Sequence, residues 1–240
     1  MKWNKKFIYP TSTRALIDGK RHYDVGTNEK LPSVTTILSA TQSEEKRKSL
    51  EAWKARMGAQ RADRIRDISA MRGTSMHTYL EGYIKNERHL DLTALGQEAG
   101  RMANVVIRSG LGDLEEVWGT EVTLYYPGLY AGATDVVGIY NGRESIIDFK
   151  QTNKPKQREW IEDYFVQLAA YAMAHNHVHG TKIQNGVILM CSKDCFFQKF
   201  EVSDQEFQGY MHAFLKRVDQ YYENCTKNKN GQDTKNDQKV

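Results

Sequence analysis

The pair Asn141-Gly142 constrains this chain more tightly than any other feature. It sits between two strand-like runs, "LYAGATDVVGIY" and "RESIIDFK". A two-residue hairpin loop of type I′ needs positive φ at both central residues, and Asn-Gly is the pair that tolerates it best. With these two at the tip the register follows. Tyr140 opposes Arg143, Val137 opposes Ile146, and Asp135 opposes Asp148. Side chains alternate along a strand, so Asp135, Asp148 and Lys150 share one face while Phe149 points to the other. Two carboxylates directly opposite each other repel, and burial sharpens the conflict. The chain can protonate one of them, pair them with Lys150, or hold a cation between them. Mg²⁺ and Mn²⁺, which favour oxygen ligands, suit the last arrangement. A structural Asp-Lys pair with the second carboxylate solvated is the plainer alternative. If the aspartates face each other, neutralising Asp135 stabilises the metal-free protein.

The 240 residues suffice for one domain with a proper core, and the composition, 40% hydrophobic and 27% charged, is that of a globular protein. No apolar run approaches membrane-spanning length, which argues against a membrane partner. The N-terminal "MKWNKKFIYP" lacks the apolar stretch and small-residue site of a secretory signal. A cytoplasmic protein is therefore expected. The net charge of +4 permits a polyanionic partner without demanding one. Three cysteines, Cys191, Cys195 and Cys225, suggest a reducing compartment and no disulfide framework.

Residues 1–225 read as a single domain. Short strands and turns fill the first 40 residues, ending in "LPSVTTIL", whose Pro-Ser pair can open a short helix. A helical region spans about 41–112. Its first part, "EEKRKSLEAWKARMGAQRADRIR", reads as a basic helix ending near Arg66. A second helix is expected over 71–84 and a third up to Gly110. The core, about 117–222, brings three antiparallel strands, a helix over roughly 157–178, two more strands and a helix from Asp204 to Tyr222. The expected class is α/β, with one mixed central sheet flanked by helices. Residues 226–240 are polar apart from the last and read as a disordered tail.

Two further patterns carry chemistry. Gly73, His77 and Glu81 follow at four-residue steps and so share a helical face. Gln167 and Tyr171 lie one helical turn apart. Each alone is as well explained by packing or by a surface hydrogen bond.

In order, the chain carries G-x-x-x-H-x-x-x-E from Gly73, G-x-x-D at Gly132 to Asp135, D-x-K at Asp148 to Lys150, and Q-x-x-x-Y at Gln167 to Tyr171. This series resembles the RecB-like branch of the PD-(D/E)XK nucleases. Within it, "PSVTTIL", "LEAWKARM" and "DFKQTNKPK" resemble the mitochondrial genome maintenance exonuclease group and its phage relatives. The resemblance implies a restriction-endonuclease-like core with an N-terminal helical region. It implies Mg²⁺ or Mn²⁺ held by His77, Asp135, Asp148 and the backbone carbonyl of Phe149, with Lys150 activating the attacking water. Gln167 and Tyr171 then support the site and the nucleic-acid backbone, and Lys154 in the basic segment "KQTNKPKQR" contacts substrate. Glu121, on the strand before the hairpin, and Glu81 are further acidic candidates.

The implied activity is exonucleolytic hydrolysis of single-stranded DNA with a free end, in replication, recombination or repair, in a bacterial or phage-infected cell. A duplex or structure-specific endonuclease and a non-catalytic nucleic-acid-binding module are the alternatives. Some RecB-like nucleases hold an iron–sulfur cluster on four cysteines. Here no cysteine precedes Cys191, so no cluster is expected.

Overall fold

A computed structural model describes residues 1–27 and 29–236. From the N-terminus the chain forms a two-residue strand β1 (Lys2–Trp3), then β2 (Thr13–Ile17), β3 (Lys20–Asp24) and β4 (Lys30–Pro32). Four helices follow: α1 (Val34–Ala40), α2 (Glu44–Met57), α3 (Ala59–Lys85) and α4 (Ala94–Gly110). The strands β5 (Leu114–Tyr126), β6 (Tyr130–Tyr140) and β7 (Arg143–Thr152) lead into α5 (Glu162–His179). The strands β8 (Asn185–Ser192) and β9 (Phe197–Ser203) precede α6 (Asp204–Asn236).

The Asn-Gly turn forms, with φ 48° at Asn141 and 75° at Gly142, and Tyr140 pairs with Arg143 as expected. The main sheet has the order β1-β5-β6-β7-β8-β9. It is mixed, because β5, β6 and β7 run antiparallel while β7 pairs with β8, and β1 with β5, in parallel. Strand β7 is central and buried on both faces. Ile146 packs into a core shared with α1, α5 and α6, and its neighbour Ile147 into a second core against α3 and α4. Such two-sided burial is why "IIDF" reads as a continuous apolar run broken only by its aspartate.

Helix boundaries depart from the sequence in two places. The basic stretch breaks at Gly58, with φ 79°, and α3 then runs unbroken from Ala59. Glycine adopts that backbone angle at little cost, whereas nothing between Arg66 and Met71 interrupts a helix. At the C-terminus α6 continues past Tyr222 to Asn236, so residues 226–236 of the expected tail are helical; residues 237–240 lie outside the described residues. Glu223 and Lys227, 3.8 Å apart in the favourable i,i+4 order, and the Thr226 hydroxyl on the Tyr222 carbonyl extend the helix there. Among the described residues no helix is long and apolar enough to cross a membrane.

A separate antiparallel ribbon, β2-β3-β4, packs beside the main sheet. Tyr23, Val25 and Leu31 bury against Ala131 of β6, and Ser33 bridges to the same residue. The ribbon is thereby held against β6 four residues before Asp135.

Candidate active site

The ladder between β6 and β7 ends at Val136 opposite Ile147. One step further, where Asp135 was expected to face Asp148, no pairing occurs. The Phe149 N–H instead donates to Asp135 Oδ2 at 2.6 Å. A side chain has taken the place of a ladder contact, and the strands part at that point. The neighbouring strand adds to the gap. Thr120 pairs with Val136 and Val122 with Thr134, while Glu121 between them sits at φ 52° and leaves the ladder. A non-glycine residue held in the left-handed region costs roughly 1–3 kcal/mol, and such residues cluster at functional sites. Thr120 Oγ1 donates to the Asp135 carbonyl at 2.8 Å and steadies the backbone there.

Helix α3 brings His77 to the gap. Its Nδ1 lies 3.2 Å from Asp135 Oδ1 and 4.0 Å from Glu121 Oε1. One ligand atom each from His77, Glu121 and Asp135 falls within 4.8 Å of the others. Burial works against charging the imidazole. The neighbouring Asp135 and Glu121 carboxylates outweigh it and raise His77 to about pKa 10. Asp148 is buried, and burial raises its carboxyl to about 6 against the pull of Lys150. Asp148 Oδ2 makes an ion pair with Lys150 Nζ, yet no donor meets that oxygen with hydrogen-bond geometry. Lys150 stays charged despite its own burial because Asp148 and Asp135 face it. Its Nζ lies 4.9 Å from the centre of the Tyr164 ring.

The chain is similar to proteins named mitochondrial genome maintenance exonuclease 1. It is 28% identical to the mouse protein over 222 residues, covering 85% of this chain and 65% of that one. The human protein is 29% identical over 207 residues, 80% of this chain and 58% of the relative. The Xenopus tropicalis protein is 30% identical over 177 residues, 70% and 50% respectively. The chain thus spans half to just under two thirds of the length of these relatives. No protein-family model matches it.

Most of the site residues expected from the sequence meet in one cavity of about 440 Å³, whose lining does not include Phe149. Gly73, His77 and Glu81 line it together from α3. Asp135, Asp148 and Lys150 line it from the sheet, and Glu121 joins them. Gln167 and Tyr171 also line it, and Gln167 Nε2 donates to Tyr171 OH at 2.9 Å. Gly132 is required there, because a Cβ at that position lies 2.7 Å from Tyr171 Cε1. Glu81 is drawn off by an ion pair with Lys85. Lys154 is exposed in the segment after β7 and does not line the cavity. Cys191 packs into the core on the α3–α4 side, with Cys195 beside it, and Cys225 packs into the core on the other side.

Two groups of residues escaped sequence reasoning. Arg72 is 4% exposed and bonds Gln151 Oε1 at 2.9 Å, Glu98 Oε1 at 3.1 Å and the Asn153 side chain. It ties α3 to the strand that carries Lys150. Only its place beside Gly73, and the amides in "DFKQTN", hint at this. Arg14 and Arg21 of the ribbon also line the cavity, and no local motif marks them.

Two carboxylates and an imidazole converging on one point, beside a buried carboxylate oxygen without a hydrogen-bond donor, are a donor set that fits a hard divalent cation.

Proposed function

We propose that this chain is a divalent-metal-dependent deoxyribonuclease with a RecB-like PD-(D/E)XK core, removing nucleotides from free ends of single-stranded DNA in replication, recombination or repair. The observation that carries the reading is the convergence of His77, Glu121 and Asp135 beside the Asp148–Lys150 pair in a single cavity. The similarity to exonucleases named for mitochondrial genome maintenance supports it independently.

In this reading His77, Asp135, Asp148 and Glu121 hold Mg²⁺ or Mn²⁺. The Phe149 carbonyl, which leaves β7 on the same side as the N–H bonded to Asp135, completes the set. The cation supplies Lewis acidity to the phosphate and makes the attacking water more acidic. Lys150 stays protonated and stabilises negative charge as it develops on the phosphate oxygens. Asp148 keeps Lys150 in place. Gln167 and Tyr171 fix the floor of the cavity beneath Gly132.

Cleavage of end-labelled linear single strands, linear duplex and circular single strands tests this, with Mg²⁺, Mn²⁺ or EDTA. Only linear single strands should be lost, only with metal, and not with Asp148→Ala. Lys150→Ala should lower turnover by roughly 10²–10³ while DNA binding persists. Cleavage of circles makes the protein an endonuclease. DNA binding without cleavage under any condition makes it a non-catalytic binder.

A further inference from the structure

The cavity holds two cations that this chemistry leaves unused. In the β2–β3 ladder Arg14 pairs with Tyr23 and Leu16 with Arg21. These four side chains therefore share one face of the ribbon. Arg14, Tyr23 and Arg21 all border the cavity. Tyr23 is buried, and the Arg14 guanidinium lies 5.8 Å from its ring centre.

Four carboxylates border the same cavity, and each already has a cation other than these arginines. Glu81 pairs with Lys85, Glu121 and Asp135 with His77, and Asp148 with Lys150. Among the described residues neither arginine has a carboxylate within ion-pair distance. Their mounting is firm at the backbone. The Arg21 carbonyl accepts from Ser33 N and from Thr36 Oγ1, both at 2.9 Å. Ser12 Oγ, just before β2, lies 2.6 Å from Thr123 Oγ1 of β5. Two unpaired guanidinium groups on a fixed frame, facing a site of phosphoryl chemistry, form a place for anions. Guanidinium forks match phosphate oxygens in a way that ammonium groups do not.

We propose that Arg14 and Arg21 form a phosphate-binding position on the wall of the cavity, gripping backbone phosphates of the strand that flank the one being cleaved. The inference rests on the nuclease reading and adds to it the residues that hold the uncleaved part of the strand. The two are diagonal cross-strand neighbours, with backbones roughly 7–8 Å apart, so each fork can take a separate phosphate of one strand.

The test is binding of a fluorescent single-stranded oligonucleotide in EDTA across a range of salt, for wild type, R14Q/R21Q, R14K/R21K and Lys182→Gln. Lys182 is exposed, in the loop before β8, and serves as a remote charge control. For R14Q/R21Q, affinity should fall on the order of tenfold, and the slope of log K against log salt should flatten by about 1.4, or 0.7 per lost single-strand contact. R14K/R21K should keep the slope but bind more weakly than wild type, because the charge remains and the fork does not. Wild-type affinity and slope in R14Q/R21Q overturn the proposal, as does an equal loss in Lys182→Gln. A wild-type protein that neither binds nor cuts DNA overturns the nuclease reading itself.

Discussion

Asp135 is held by the His77 imidazole at 3.2 Å and the Phe149 N–H at 2.6 Å, and its backbone is anchored by Thr120. Burial works to raise its carboxyl, yet the His77 charge, with Lys150 and the Phe149 N–H, pulls it below the usual range. Asp135→Asn should therefore destabilise the metal-free protein by about 1–3 kcal/mol, the cost of losing a charged hydrogen-bond partner. This reverses the expectation drawn from two facing aspartates. The pH dependence has a definite sign. His77 has a folded pKa raised to about 10, above its ordinary 6.5. The pairing is thus fully stabilising below about pH 6.5 and is lost as pH rises toward 10. Thermal melts in EDTA should show the largest gap between wild type and Asp135→Asn near pH 6, and a smaller one near pH 10. A variant that melts higher than wild type near pH 6 would restore the facing-charge picture. Alternation alone placed Asp135, Asp148 and Lys150 on one face. The end of the ladder was not legible, because it depends on a backbone angle at Glu121 and on a side chain capturing the Phe149 N–H.

Helix α3 carries His77, and its position depends on Arg72. That guanidinium is buried and joined to Gln151, Glu98 and Asn153, so the helix is fastened to the strand bearing Lys150. Arg72→Met keeps the aliphatic stem and removes the fork, leaving the Gln151 and Asn153 carbonyl oxygens without that donor. Urea unfolding should register a loss of about 1–3 kcal/mol. An unchanged midpoint would mean that the fastening is carried by apolar packing of Met76, Leu80 and Ile84 alone. At this scale the sequence was informative where local chemistry decides. Ser33, of the Pro-Ser pair, caps α1 by accepting from Thr36 N, and the Asn-Gly turn closes β6 onto β7. It was uninformative where partners lie far away. The pairing of β1 with β5 joins Lys2 to Glu116 and Trp3 to Val117, and no pattern in "MKWNKK" announces it. The break at Gly58 is not legible because helical spacing of apolar residues continues on both sides of it.

Across the whole molecule, two cores lie on opposite faces of one sheet, and the cavity opens where β6 and β7 part. Helix α3 from one layer and α5 from the other reach it together, so the site is a product of the layered architecture rather than of any one segment. This explains why a linear order of four motifs was legible although their meeting point was not. It also makes a bound cation a tie between layers. An ion that binds only the folded chain stabilises it by about 2.7 kcal/mol at a hundredfold excess over its dissociation constant. For a domain of this size that corresponds to a rise in melting temperature of roughly 5–10 °C. Mn²⁺ added to the EDTA-stripped, dialysed protein should produce such a rise near pH 8 and very little in His77→Ala. The rise should be smaller near pH 6, because His77 must release its proton to become a ligand and does so less readily as pH falls. An equal rise in wild type and His77→Ala would place the ion elsewhere on the molecule. No rise in either would leave His77 and Asp135 as an ion pair that fastens α3 to the sheet without a metal.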